Sequence, residues 1–310
     1  MRSIFDSLCA AIENNEPVAL ALISGVKGSS PQKKGAKALF FADGRMEGTL
    51  GGGCLEAEVR ERARIALLNQ KPASFDLILD HDFGWDDGLI CGGKVSGLIL
   101  PGVAAAHDLW QQLARRQSAI EWGVRHDCAI GRVNDSAESG WLYRETVAPA
   151  TALWIAGAGH VAQAVAPLGL NLDFAVTVFD DRASLANHQF FPADTRLRVD
   201  AWTTLLAEPM PVAPAFGLIL TRGHQHDAMV LQSWVQKPFA FLGMIGSQRK
   251  KRLIFSHFIE EKIATEAQLS QVACPVGLDI QAASVPEIAI SIIAQLVQNR
   301  AALASTTASR

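Results

Sequence analysis

Apolar positions in the first half of the chain follow short, changing rhythms, whereas the second half alternates steadily between strand-like and helix-like runs. Phe5, Leu8 and Ile12 share one face of a helix predicted over residues 4–14. Residues 18–23 are an unbroken apolar run and predict a buried strand. Residues 38–41 and 46–50 flank Asp43-Gly44, a tight-hairpin signal. Over 54–69, Leu55, Val59, Ala63, Ala66 and Leu67 return at helical spacing, with Glu56, Arg60, Glu61 and Arg64 around the remaining surface. Strands over 75–79 and 94–100, a helix near 105–115 and weaker β patterns to about residue 144 complete this half.

The pattern changes at Glu145-Thr146-Val147-Ala148-Pro149, which predicts two domains, 1–146 and 147–310. In the second, a strand over 152–156 leads into a glycine turn and a helix over 157–168, then a strand over 174–179. Strands over 216–221 and 239–243 alternate with helices over 226–235 and 247–262. A last helix over 285–299 opens with Ser284-Val285-Pro286-Glu287, a capping-box spacing, and the tail from 301 is expected to fray. The fold class is therefore α/β: a mixed α/β N-terminal domain and a Rossmann-like, doubly wound parallel sheet after it.

Composition narrows the function. Of 310 residues, 49% are hydrophobic and 19% charged, which describes a globular chain with a substantial core. A formal charge of −3 gives no case for nucleic acid or an anionic membrane. Five scattered cysteines suit a reducing, cytoplasmic setting better than a disulfide framework. Asp6, Glu13 and Glu16 argue against a secretory signal at the start of this sequence. Residues 147–172 lack Asp, Glu, Lys and Arg, but Pro149, Gly157, Gly159, His160 and Pro167 divide them into strand, turn and helix, not a membrane span.

Candidate chemistry lies in five glycine-containing places. Gly51-Gly52-Gly53-Cys54-Leu55-Glu56 opens a helix, so it offers unpaired amides to an anion and a soft nucleophile or metal ligand in Cys54. Gly28-Ser29-Ser30-Pro31 follows the first strand, and Cys91-Gly92-Gly93 precedes another. Gly157-Ala158-Gly159-His160-Val161-Ala162 has the strand–turn–helix context of a dinucleotide fingerprint, with Asp180 placed to accept from ribose hydroxyls. Gly246 and Ser247 leave the strand over 239–243 and could bind an anion, while Arg249-Lys250-Lys251-Arg252 reads as a solvated helix face. His224, His226 and Asp227 could form a metal or acid–base set; hydrogen bonding local to a turn and helix start is the favoured reading. Contact with a ligand is favoured for Cys91, evenly balanced for Cys54, and Cys9, Cys128 and Cys274 read as structural.

These segments, together with Phe179-Asp180-Asp181-Arg182, residues 243–247, Pro275-Val276-Gly277-Leu278-Asp279-Ile280 and residues 284–291, resemble the XdhC/CoxI family of xanthine dehydrogenase accessory proteins. The resemblance covers nearly the whole chain. It implies a chaperone that binds the molybdenum cofactor, as molybdopterin or its cytidine or guanosine dinucleotide form, supports its sulfuration and inserts it into a molybdenum hydroxylase. A cysteine desulfurase, and a molybdopterin nucleotidyltransferase, are implied partners, and a homodimer is the implied assembly. The implied site comprises Gly28, Ser29, Ser30, Gly51, Gly52, Gly53, Cys54, Glu56, Cys91, Gly92, Gly93, Gly157, Gly159, His160, Asp180, Gly246 and Ser247, with Cys91 facing molybdenum or sulfur. A non-catalytic handling factor is favoured over the alternative, an NAD(P)-dependent oxidoreductase using the Rossmann crevice.

Overall fold

The computed structural model describes residues 3–79, 93–133 and 140–308. The chain folds as two compact units divided after Pro149.

The first unit contains α1 (Ile4–Glu13), β1 (Val18–Lys27), β2 (Lys37–Phe41), β3 (Met46–Gly48), α2 (Gly53–Asn69), β4 (Ala73–Leu79) and β5 (Gly93–Leu100). It continues with α3 (His107–Arg115), β6 (Ile120–Arg125), β7 (Ile130–Arg132) and β8 (Trp141–Val147). An antiparallel sheet of order β3-β2-β1-β5-β4 forms its centre. Successive side chains of a strand point to opposite faces, and β1 uses both. Val18, Leu20 and Leu22 pack with Phe5, Leu8, Trp110 and Trp122 on one face. Ala19, Ala21 and Ile23 pack with Val59, Ala63 and Ala66 of α2 on the other. Burial on both faces is why residues 18–23 read as a continuous apolar run. The strand continues to Lys27 because β5 pairs with it that far, Lys27 opposite Lys94.

The weak β patterns before residue 144 resolve into a second sheet, β7-β6-β8. Val147 pairs with Ile120 and belongs to this sheet, so β8 extends into the stretch assigned from sequence to the second domain. The strand pairing overrides the compositional break.

The second unit begins with β9 (Ala152–Ala156), α4 (His160–Asn171), β10 (Ala175–Asp180), β11 (Arg196–Val199), α5 (Trp202–Leu206), β12 (Ala215–Ile219) and α6 (His224–Trp234). It ends with β13 (Phe241–Met244), α7 (Gln248–Glu260), α8 (Glu266–Ser270), β14 (Val272–Ala273) and α9 (Val285–Ala308). Its six strands run parallel in the order β11-β10-β9-β12-β13-β14. Leu153 and Ile155 of β9 pack with α4 and α9, while Trp154 and Ala156 pack with α5, α6 and α7. The sheet is therefore doubly wound, with its topological switch between β9 and β12. Contrary to the expected fraying, α9 is helical to Ala308. Arg300 of α9 ties this helix to the end of α4: its guanidinium donates to the Leu172 carbonyl at 2.5 Å and lies 4.4 Å over the Phe174 ring.

Candidate functional site

In the first unit, close backbone packing brings together glycine-rich segments that are far apart in sequence. A Cβ on Gly93 would stand 2.0 Å from the Ser29 carbonyl oxygen, so only glycine permits that contact. A Cβ on Gly51, whose φ is +121°, would stand 3.1 Å from Cβ of Pro31. The turn of Gly28, Ser29, Ser30 and Pro31 is thus flanked by Gly93 and Gly51. Ser30 Oγ is buried there with no partner among the described residues. A buried hydroxyl without a partner is uncommon in a native fold, so a water or another polar group can complete this turn. Cys91 and Gly92 lie outside the described residues.

Two of the amides expected to receive a ligand's anion, those of Gly51 and Gly52, are already engaged, by Thr49 Oγ1 and Glu56 Oε1. Glu56 Oε1 accepts from Thr49 Oγ1 at 2.7 Å, from Leu50 N at 2.9 Å and from Gly52 N at 3.0 Å. Burial pushes its carboxyl up, but the Thr49 hydroxyl and the amides of Leu50, Gly52 and Gly51 more than offset this and hold it below its ordinary value. Gly52 caps α2 with a φ of +82°, which turns its N–H toward the carboxylate. Glu56 thereby serves as a counter-anion supplied by the fold itself. Cys54 is a free, half-buried thiol in the first turn of α2, and Gly53 beside it is exposed.

A different polar cluster supports the return of the same loop. Lys37 forms an ion pair with Glu145 at 2.6 Å, donates to the Gly35 carbonyl at 2.7 Å, and faces the rings of Phe5 and Trp122. Burial lowers its ammonium below the usual lysine range, and Glu145 pulls it part of the way back.

In the second unit, the Gly157 turn packs on the loop after β12. Its φ is +108°, and a Cβ there would meet the Leu220 carbonyl oxygen at 2.4 Å. Gly159 is the N-cap of α4 and provides no side-chain cap, and His160 is exposed at the first helical position. Asp180, 1% exposed, is committed to the loop. Its Oδ2 accepts from Ala158 N at 2.7 Å and from Arg182 Nη2 at 2.8 Å. Its Oδ1 accepts from Arg182 N at 3.0 Å and Arg182 Nε at 2.8 Å. Burial raises the Asp180 carboxyl, and Arg182 with the two amides outweighs it, leaving the group below its ordinary value. In this arrangement Asp180 fastens the glycine turn instead of offering free oxygens to a ribose.

The loops after β12 and β13 meet at Asp227. This carboxylate has no solvent exposure, accepts at Oδ1 from Thr221 Oγ1 at 2.6 Å and Thr221 N at 3.2 Å, and is ion-paired at Oδ2 with Lys250. Lys250 also donates to the Ile245 carbonyl at 3.1 Å. A Cβ on Gly246 would stand 2.9 Å from the stem of Lys250, so the glycine makes room for that side chain. The hydroxyl of Ser247 accepts from Lys250 N and caps α7. The basic run is thus not wholly a solvated face. Lys250 is one helical turn before Ile254 and two before Phe258, both buried, and that spacing is the sequence signal that places it inward. Local hydrogen bonding accounts for Asp227, whereas the His226 ring lies 6.2 Å from that of Trp202. Among the described residues, no group of three or more His, Cys, Asp and Glu side chains could hold a metal ion.

The chain is thus an α/β protein of two units, a glycine-lined mixed unit followed by a Rossmann unit. Residues 153–296 match the XdhC Rossmann domain and residues 11–80 match the XdhC and CoxI family. The chain belongs to the XdhC/CoxI family. It is 29% identical over 297 residues to the uncharacterized protein YqeB of Escherichia coli K12, matching 96% of this chain and 46% of that one, so it spans about half the length of that relative. It is 25% identical to a protein of Bacillus subtilis 168 named as a probable xanthine dehydrogenase component, with 97% and 98% of the two chains covered. Identity is also 25% to the molybdenum cofactor insertion chaperone PaoD of Escherichia coli K12, covering 96% and 88%. A crystal structure described as a xanthine dehydrogenase from Bacillus halodurans superposes with a TM-score of 0.80, at 26% identity and 96% coverage of both chains.

Proposed function

We propose that this chain is a molybdenum cofactor chaperone that holds and protects the cofactor, supports its sulfuration and inserts it into a xanthine dehydrogenase or aldehyde oxidase-type hydroxylase. The observation that carries the reading is the convergence of Gly93, Gly51 and the Ser29–Pro31 turn around a buried, unpartnered Ser30 hydroxyl. Likeness over nearly the whole chain to a relative named as a molybdenum cofactor insertion chaperone supports it.

The residues present suit such a guest. Gly28, Ser29 and Ser30 would offer backbone and hydroxyl groups to a phosphate-bearing ligand, with Gly93 packed behind the Ser29 carbonyl to hold the turn. The amides of Gly51 and Gly52 would receive a phosphate oxygen in exchange for the Glu56 carboxylate, with the Gly53 amide beside them. Cys54 and Cys91 are the soft ligands for sulfur or molybdenum. When bound, the cofactor supplies a dithiolene-held metal centre; the chain itself binds, orients and excludes water. Gly157, Gly159, His160, Gly246 and Ser247 form a second proposed contact region in the Rossmann unit, where Asp180 acts only by holding the glycine turn. A cysteine desulfurase, a molybdopterin nucleotidyltransferase and a second copy of this chain are the proposed partners, in the cytoplasm. The oxidoreductase reading loses support because the Asp180 oxygens are engaged within the fold.

The test is anaerobic purification from cells that synthesise molybdopterin, with pterin and molybdenum measured per folded chain. Near-stoichiometric loading in the wild type and reduced loading in Cys91→Ser, at unchanged circular dichroism, are expected. Folded protein that retains no pterin under these conditions overturns the proposal.

A further inference from the structure

Between Gly28 and Lys34, the loop that carries Ser30 makes one hydrogen bond among the described residues, in which the Lys33 carbonyl accepts from Ala36 N at 3.1 Å. A segment with so few bonds of its own takes its shape from the places where it is held. Its return to β2 is held by charge. Gly35 N donates to the Ile23 carbonyl at 2.9 Å, and the Gly35 carbonyl accepts from Lys37 Nζ at 2.7 Å. The φ of Gly35 is +95°, and Glu145 Oε1 and Tyr143 Oη each stand 3.4 Å from where a Cβ on it would be. The Lys34 ammonium lies 5.7 Å over the Tyr143 ring. Thus β8, a strand of the second sheet, closes on the root of the loop with two side chains, one of them the carboxylate paired with Lys37.

The cost of this arrangement bears on its role. The Lys37 side chain is 7% exposed, with the rings of Phe5 and Trp122 each 5.7 Å from its ammonium. Taking such a charge out of water is expensive, and apolar side chains of similar volume commonly hold packed elements at least as firmly. An apolar pair, however, has nothing to donate to the Gly35 carbonyl. That donation is what the charged pair adds, and it acts on the loop and not on the core.

We infer that Lys37, Glu145 and Tyr143 are positioning residues that hold the loop over 28–34, and with it the Ser30 hydroxyl, in the shape a ligand meets. They touch no ligand themselves; they act through the Gly35 backbone. The inference deepens the cofactor-chaperone reading and rests on that reading for the identity of the ligand.

Trypsin reports on the loop directly, because Lys33 and Lys34 are exposed and cleavage there follows the population of the opened loop. The full native chain is digested as wild type, as Lys37→Met, as the apolar double change Lys37→Met with Glu145→Leu, and as Arg144→Met, with fragments counted by mass spectrometry. Arg144→Met removes the 2.7 Å ion pair to Glu121 from the same strand and leaves the cluster intact. Cleavage after Lys33 and Lys34 is expected to rise roughly tenfold in Lys37→Met and in the double variant, the weight of one charge-assisted hydrogen bond. It should stay within about twofold of wild type in Arg144→Met. The double variant should also melt as the wild type does. Purified from cells that synthesise molybdopterin, it should nevertheless retain roughly fivefold less pterin.

The inference is overturned if Lys37→Met is cut at the wild-type rate, or if Arg144→Met is cut as fast as Lys37→Met. It is equally overturned if the double variant regains slow cleavage together with its stability, or retains pterin as the wild type does. A wild type that keeps no pterin fails the chaperone reading instead, and the cleavage comparison still decides whether the loop is held in this way.

Discussion

Lys250 of α7 places its ammonium against Asp227 of α6, a carboxylate with no exposure to solvent, and so ties together the loops leaving β12 and β13. Removing Lys250 leaves a carboxylate with no solvent exposure and no counter-charge, held only by the two Thr221 donors. Lys250→Met should therefore destabilise the fold by about 3–5 kcal/mol, and the double change Asp227→Asn with Lys250→Met should recover much of that loss. Denaturant melts of the two single variants and the double variant measure the coupling. Additive losses would show that the pair does not act as a unit.

Glu56 gives a prediction with a pH sign. Its folded-state carboxyl lies below the ordinary value of 4.5, so the unfolded chain takes up its proton first as the pH falls. The stabilisation is present above that value and is lost as the pH drops through the lower, folded one. Glu56→Gln should cost about 1 kcal/mol at neutral pH, given partial solvent screening, and should flatten the acid limb of the stability profile. Thermal melts of both proteins below and above pH 4.5 check this; parallel curves would refute it.

Two glycines separate steric need from backbone freedom. Gly93→Ala drives a methyl into the Ser29 carbonyl and should destabilise by about 1–3 kcal/mol while lowering pterin retention. Gly102→Ala meets nothing within 4 Å and should stay within about 0.5 kcal/mol of wild type. Equal effects at the two positions would dissolve the argument for a packed turn at Ser29.

Lys37 gives the opposite pH sign. Burial lowers its folded-state value below 10.5, so between the two values the unfolded chain binds the extra proton and stability rises with pH. Tyr143 beside it is raised above 10.0 by burial first and the Glu145 charge second, which turns the trend downward once the unfolded tyrosine ionises. Lys37→Met should remove the rise and leave the later fall. Melts across the alkaline range, wild type against variant, provide the comparison.

The parts of this fold legible in sequence are those where one periodicity dominates. The unbroken run at 18–23 marked a strand buried on both faces, and the strand, Gly157 turn and helix marked the Rossmann unit. Short elements such as β11, α5, α8 and β14 escaped, since four or five residues, or two, carry too little pattern. Lys250 was hidden by its charged neighbours: a basic run looks like a solvated face unless its phase is read against Ile254 and Phe258. The engagement of Asp180 by Arg182 was invisible because nothing in spacing says that an acid at a strand end is already taken. For the candidate site, glycine positions could be read, but not which amide was already satisfied. Cys91 lies outside the described residues.

The Thr49–Glu56 turn has one further physical consequence. A loop that provides its own negative group is ordered before any visitor arrives, so an oxyanion entering there swaps places with a tethered rival and fills no vacancy. The donor count on those amides is the same before and after. Affinity then reflects only the difference between two similar occupants, and the rival, never more than a side chain's length away, is always at hand to displace the visitor again. Arrival and departure would then both be easy, as the proposed chaperone role requires.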